Sequence, residues 1–241
     1  MNRLRKVTQI LKDVPTILLV LVLAVGCTTL PEYARPRMVP VGTARDSAAR
    51  GFVYRQLTVA DFKATSLPKA MSAHEARINA HSCIQIRPVT DTSFSVAVRR
   101  FSQTTQYFGS IERVGFEAVL IPECSWWNPR MPKKMRRYVL QHEQIHFAIS
   151  ELAARKLTRK AQKTAQSYLA IGPTQQEVMS DLRAKVKALL KEATTESLKE
   201  HTAFDEDTSM SPNPRQQRWW HDDVTARLKK TEVAQVGDVL K

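Results

Sequence analysis

The sequence predicts an α+β fold, an antiparallel N-terminal sheet packed on two long C-terminal helices. Two observations carry this. Between about Phe52 and Trp127 apolar residues recur at every second position in short runs, the period of a strand with one face buried. From about Pro132 to His201 they recur at every third or fourth position, broken once at Gly172 and Pro173, the period of helices. Residues 1–50 follow neither pattern.

Within those first residues, Arg3, Arg5, Lys6 and Lys12 precede an uncharged run from Ile17 to Val25. That run is too short to cross a bilayer as a mature helix, but it fits the apolar core of a secretory signal. "LAVGC" (23–27) resembles the lipobox of bacterial lipoproteins, which implies cleavage after residue 26 and lipid on Cys27; the alternative is a plain signal with a chance cysteine. Thr28 rather than aspartate follows, which by the same resemblance implies the outer membrane, facing the periplasm. Residues 27–50 hold Pro31, Pro36 and Pro40 without apolar periodicity and read as a tether. The folded domain is expected over 51–231, with a C-terminal tail at 232–241.

The strand-like runs are Ile84 and Ile86 alternating with Gln85 and Arg87; Phe94, Val96 and Val98 alternating with Ser95, Ala97 and Arg99; and Phe116, Ala118 and Leu120 alternating with Glu117 and Val119. The first helix is predicted from about Pro132 to Ala170, with Met135, Tyr138, Val139, Ile145, Ile149, Leu152 and Leu157 on its apolar stripe. Thr174 is a credible N-cap for the second, running to about His201 through Val178, Leu182, Val186, Leu189, Leu190 and Leu198. Pro212 and Pro214 mark a loop before a shorter helix around Trp219 to Lys229.

If Cys27 carries lipid, two thiols remain, Cys83 and Cys124, in a compartment where disulfides persist. They are predicted to pair; the alternative is two separately buried thiols. The formal charge is +14, of which the signal contributes +3, leaving about +11 for the exported chain. No nucleic-acid-binding module accompanies that excess. It suits anionic lipid headgroups or envelope polymers, or serves solubility alone. Calcium, nucleotide and flavin motifs are absent.

The chemistry concentrates in "QHEQIHFAIS" (141–150). On a helix, His142 and His146 differ by 400°, so the two imidazoles lie about 40° apart in projection and can chelate one ion. Glu143 sits about 100° round, within reach of a water on the metal without being a ligand. The pattern suits Zn²⁺, which polarises a carbonyl and draws the pKa of its water toward about 7 while Glu143 takes the proton. Glu151 follows His142 by nine residues, about 180° round the helix, and cannot join both histidines on one ion; it is expected to orient a neighbour, cap an arginine, or stay solvated.

With "LTVADF" (57–62), "SWW" (125–127), "LQHEQIHFAISELAAR" (140–155), "AFDEDT" (203–208) and "QRWW" (217–220), the chain resembles the bacterial predicted secreted zinc-dependent proteases. The likeness covers about 55–229, the helix segment being its most specific part. It implies a zincin-like fold, a peptide or protein substrate in the envelope, and hydrolysis at a zinc site. In that family the region after the second helix resembles an aromatic-Asp-x-x-Thr-x-His-Gly signature, placing Phe204, Asp205 and Thr208 on matching positions; Met210 and Ser211 stand at the His and Gly positions, a departure.

A catalytic zinc takes three protein ligands, and the third is expected from a later element: Asp205 first, then His201, with Glu200 behind. His221, beside Trp219 and Trp220, is expected to stabilise an oxyanion or to pack with the indoles. Trp126 and Trp127 are expected in the core, and the run Phe116–Leu120 is a candidate strand edge for an extended substrate. The alternative function is a non-catalytic envelope lipoprotein whose metal site is structural or decayed and which binds an envelope partner.

Overall fold

The computed structural model describes residues 51–209 and 211–239; the signal, the tether with Cys27, and Met210 lie outside them. In chain order the strands are β1 (Phe52–Val53), β2 (Ala80–His81), β3 (Ile84–Pro88), β4 (Ser93–Phe101), β5 (Thr104–Arg113), β6 (Phe116–Leu120), β7 (Trp126–Trp127) and β8 (Leu169–Gly172). They pair antiparallel in three small sheets, ordered β1-β6-β3, β2-β7 and β4-β5-β8. The helices are α1 (Arg136–Ala165), α2 (Gln175–Thr208) and α3 (Pro214–Val239). The α+β expectation therefore stands.

The alternating runs bury the faces they should. Ile84, Ile86, Phe116, Ala118 and Leu120 enter one core with Phe147, Leu157 and Ala161 of α1 and Leu182, Leu189 and Leu190 of α2. Removing such side chains from water is worth roughly 1.5–3 kcal/mol each. At Gly109 a Cβ would lie 2.3 Å from Val178 Cγ1, so the missing side chain lets α2 settle directly on β5. Cys83 and Cys124 form a disulfide across a separation of 41 residues, constraining the unfolded chain by about 3–4 kcal/mol. Trp126 is buried with Leu67, Met71 and Ile78, and Trp127 is half-buried against Phe62.

Four expectations need correction. The run Phe116–Leu120 is no free edge: β3 pairs along all of it, β1 covers Val119 and Leu120 on the other side, and the Thr158 hydroxyl bonds the Phe116 N–H and carbonyl. The first helix stops at Ala165, where the Thr164 carbonyl accepts from Ser167 and Tyr168. Leu169 to Gly172 instead completes the sheet beside β5, with Ala170 buried and its neighbours Leu169 and Ile171 exposed. The second helix runs past His201 to Thr208, its last turns burying Phe204 in an apolar cluster beside the polar His201, Asp205 and Thr208; Leu198, placed on its stripe, is exposed. The third helix starts early, at Pro214, where the Asn213 side chain accepts from the Gln216 N–H and proline fits the first helical position. It also continues through most of the expected tail.

Helix α1 is the hub. One side meets the sheets through Phe147, Ala154, Leu157 and Ala161. Another meets α3 through Ile145, Ala148, Ile149 and Leu152, packed with Trp220, Val224 and Leu228. The strip between them faces the C-terminal end of α2, and it is the strip that carries the histidines.

Candidate metal centre

Several polar anchors fix the rotation of α1. Gln144 extends its amide to the chain before the first 3-10 turn, accepting from Leu57 N–H at 2.6 Å and donating to Arg55 O at 3.2 Å. The fully buried Gln217 of α3 donates to Tyr138 O and to Gln141 Oε1, both at 2.9 Å. Tyr138 Oη donates to Thr208 O at 3.0 Å, tying the end of α2 to α1. Gln144 between the histidines, and Tyr138 and Gln141 before them, are thus structural fasteners.

So held, α1 turns His142 and His146 toward α2, whose buried stripe His201, Phe204, Asp205 and Thr208 repeats at helical spacing. His142 Nε2 and His146 Nε2 are 3.0 Å apart, and Asp205 Oδ1 lies 3.1 Å from the first and 3.2 Å from the second. Three lone-pair atoms at such distances repel unless a proton or a cation lies among them. Bonds of about 2.0–2.1 Å to a tetrahedral zinc separate neighbouring ligand atoms by about 3.3 Å, close to what is seen. His142, His146 and Asp205 together can hold a metal ion; among the described residues no fourth His, Cys, Asp or Glu joins them.

The far nitrogens of both rings are held as well. His142 Nδ1 lies 3.4 Å from Thr208 Oγ1, whose own proton goes to Phe204 O at 2.6 Å. His146 Nδ1 lies 2.8 Å from His201 Nδ1. His201, the alternative ligand, is therefore placed behind His146 and away from the three converging atoms. Ser209 Oγ donates to Asp205 Oδ1 at 2.8 Å, and the ring of Phe204 stacks on His142 with centroids 4.5 Å apart.

Charges follow from this enclosure. Burial alone would raise the Asp205 carboxyl, but His146 and His142 beside it hold it well below the usual carboxylate range. Burial, with His146 adjacent, drives His201 down to about 3, so its ring is neutral. Burial opposes a charge on His146 too, yet Asp205 and, more weakly, Glu143 raise it above its ordinary value.

Glu143 is buried on the sheet side of α1, where the Ser82 hydroxyl, at the end of β2, donates to its Oε2. Nothing local in the sequence marks Ser82, which lies 61 residues away. Glu151 forms an ion pair with Arg155 at 2.7 Å, as an arginine cap would. Glu200 pairs with Arg227, and His221 lies 3.3 Å from Asp222 Oδ1; neither belongs to the converging group.

Fold and site together define an α+β protein bearing a largely enclosed pair of histidines and a buried aspartate able to hold a metal ion. Beyond that class, no protein-family model, curated protein or solved structure matches the chain.

Proposed function

We propose that the protein is a zinc-dependent peptidase, lipid-anchored through Cys27 in the cell envelope, that hydrolyses a peptide or protein substrate of that compartment. One observation carries this: three ligand atoms lie within 3.2 Å of one another, and the two histidines among them share α1 with the buried Glu143. Two imidazoles and one carboxylate are a donor set of hydrolytic zinc. A zinc ion bound there supplies Lewis-acid chemistry, polarising a carbonyl and lowering the pKa of a water toward about 7.

The chain's own residues do the rest. Glu143 receives the proton of the attacking water and returns it to the leaving amine. Ser82 occupies Oε2, leaving Oε1 as the working oxygen. Asp205 and Ser209 balance the histidines' side of the site. The same donor set also serves iron(II) oxygenases; the seated base is what favours hydrolysis.

The test is to purify residues 28–241 under oxidising conditions, measure bound metal and peptide cleavage, and repeat with Glu143→Gln. Metal retained and cleavage lost supports the proposal. A protein without zinc overturns it, and zinc without cleavage in either protein favours the non-catalytic lipoprotein.

A further inference from the structure

Behind His146 lies a closed hydrogen-bond circuit with a readable direction. Ser150 Oγ is 3.1 Å from the His146 carbonyl, one turn back along α1, and 3.2 Å from His201 Nε2. A carbonyl oxygen only accepts, so the single Ser150 proton goes there. Ser150 can then only accept from His201, which places the His201 proton on Nε2. A neutral imidazole has one bare nitrogen, and in His201 it is Nδ1, 2.8 Å from His146 Nδ1. That contact is a hydrogen bond only if His146 donates. With its proton on Nδ1, His146 offers a bare Nε2 to the ion.

We propose that His201 is a positioning residue that, through Ser150, fixes His146 in the tautomer whose Nε2 binds the ion. The proposal rests on the reading of His142, His146 and Asp205 as a cation site. Histidine ligands are ordinarily oriented by a carboxylate, a carbonyl or water on the second nitrogen. A carboxylate there would add a second negative charge beside Asp205; a buried neutral imidazole orients the ring without adding charge. The closure also explains why Ser150, His201 and their atoms in the circuit are buried although none is a ligand.

Two readouts test it, neither depending on catalysis. In the metal-free protein, nitrogen-15 spectra of the imidazoles should show His201 protonated on Nε2 with Nδ1 bare. In chelator competition, His201→Leu should bind zinc about 10- to 100-fold more weakly. His201→Asn, which keeps an acceptor near the Nδ1 position, should recover most of that loss. Ser150→Ala, a small change certain to leave the core filled, should give a mixed His201 tautomer and an intermediate affinity. A wild-type His201 protonated on Nδ1, or equal zinc affinity in the folded His201→Leu and Ser150→Ala variants and the parent, overturns the proposal. Failure of the unsubstituted protein to bind zinc sinks the cation reading itself, a separate outcome visible before any variant is made.

Discussion

The antiparallel pair of α1 and α2 is built differently at its two ends. Toward the end of α1 the contacting residues are Leu157 and Ala161, set with Leu189 and Leu190 of α2 in the main core. Exposed ion pairs, Lys156 to Glu196 and Lys160 to Glu192, line the rim, where they add little stability. Toward the start of α1 the same two helices meet through His142, His146 and Ser150 on one side and His201, Asp205 and Thr208 on the other. Burying polar and charged groups is at best neutral for stability even when they are paired. The apolar end therefore sets register and holds the helices together, and the polar end is carried by it as a working surface.

That division can be broken at either end. The largest effect is expected from Glu143→Gln, which should lower peptide cleavage by about 10²- to 10⁴-fold with zinc content and melting temperature unchanged. Asp205→Ala should cost more zinc affinity than the roughly 100-fold upper range of orienting residues, read by chelator competition, while the protein stays folded. Leu189→Ala should do the reverse, costing about 2–5 kcal/mol in urea unfolding and leaving one zinc per folded chain. Ser82→Ala removes one charge-assisted hydrogen bond, about 1.5–3 kcal/mol in general; cleavage should fall roughly tenfold or more with metal intact.

The smallest effect tests a fastener away from both ends. At Asp61, burial favours the neutral acid, but hydrogen bonds from Arg55 and Thr58 outweigh it and lower the pKa below 3.8. A lowered carboxyl contributes stability above its unfolded value that is lost as pH falls through the folded one. Asp61→Asn should therefore cost about 1 kcal/mol near neutrality, and the gap between variant and parent should close as the pH falls below the ordinary aspartate value of about 3.9 and on through the lowered one.

The sequence made the helix-borne pair legible because spacing along one helix is local information. His142 and His146 share a face by arithmetic, and the parity of Cys83 and Cys124 pointed to their bond. Asp205 was legible as a candidate, but the helix that presents it was not. The segment from His201 to Thr208 has no apolar stripe because it faces a polar site, so periodicity fails where function begins. Ser82 and the place of β6 between two strands depend on pairings across distant segments, which alternation cannot reveal. The expected first helix reaches as far as Ala170 because the strand character of Leu169 to Gly172 exists only beside β5.

The disulfide stands directly after Ser82, whose neighbour Cys83 is its first partner. The ion-binding atoms lie on α1 and α2, which no disulfide joins. Zinc uptake should then survive reduction, while cleavage returns only on reoxidation, a difference that a single refolding time course would show.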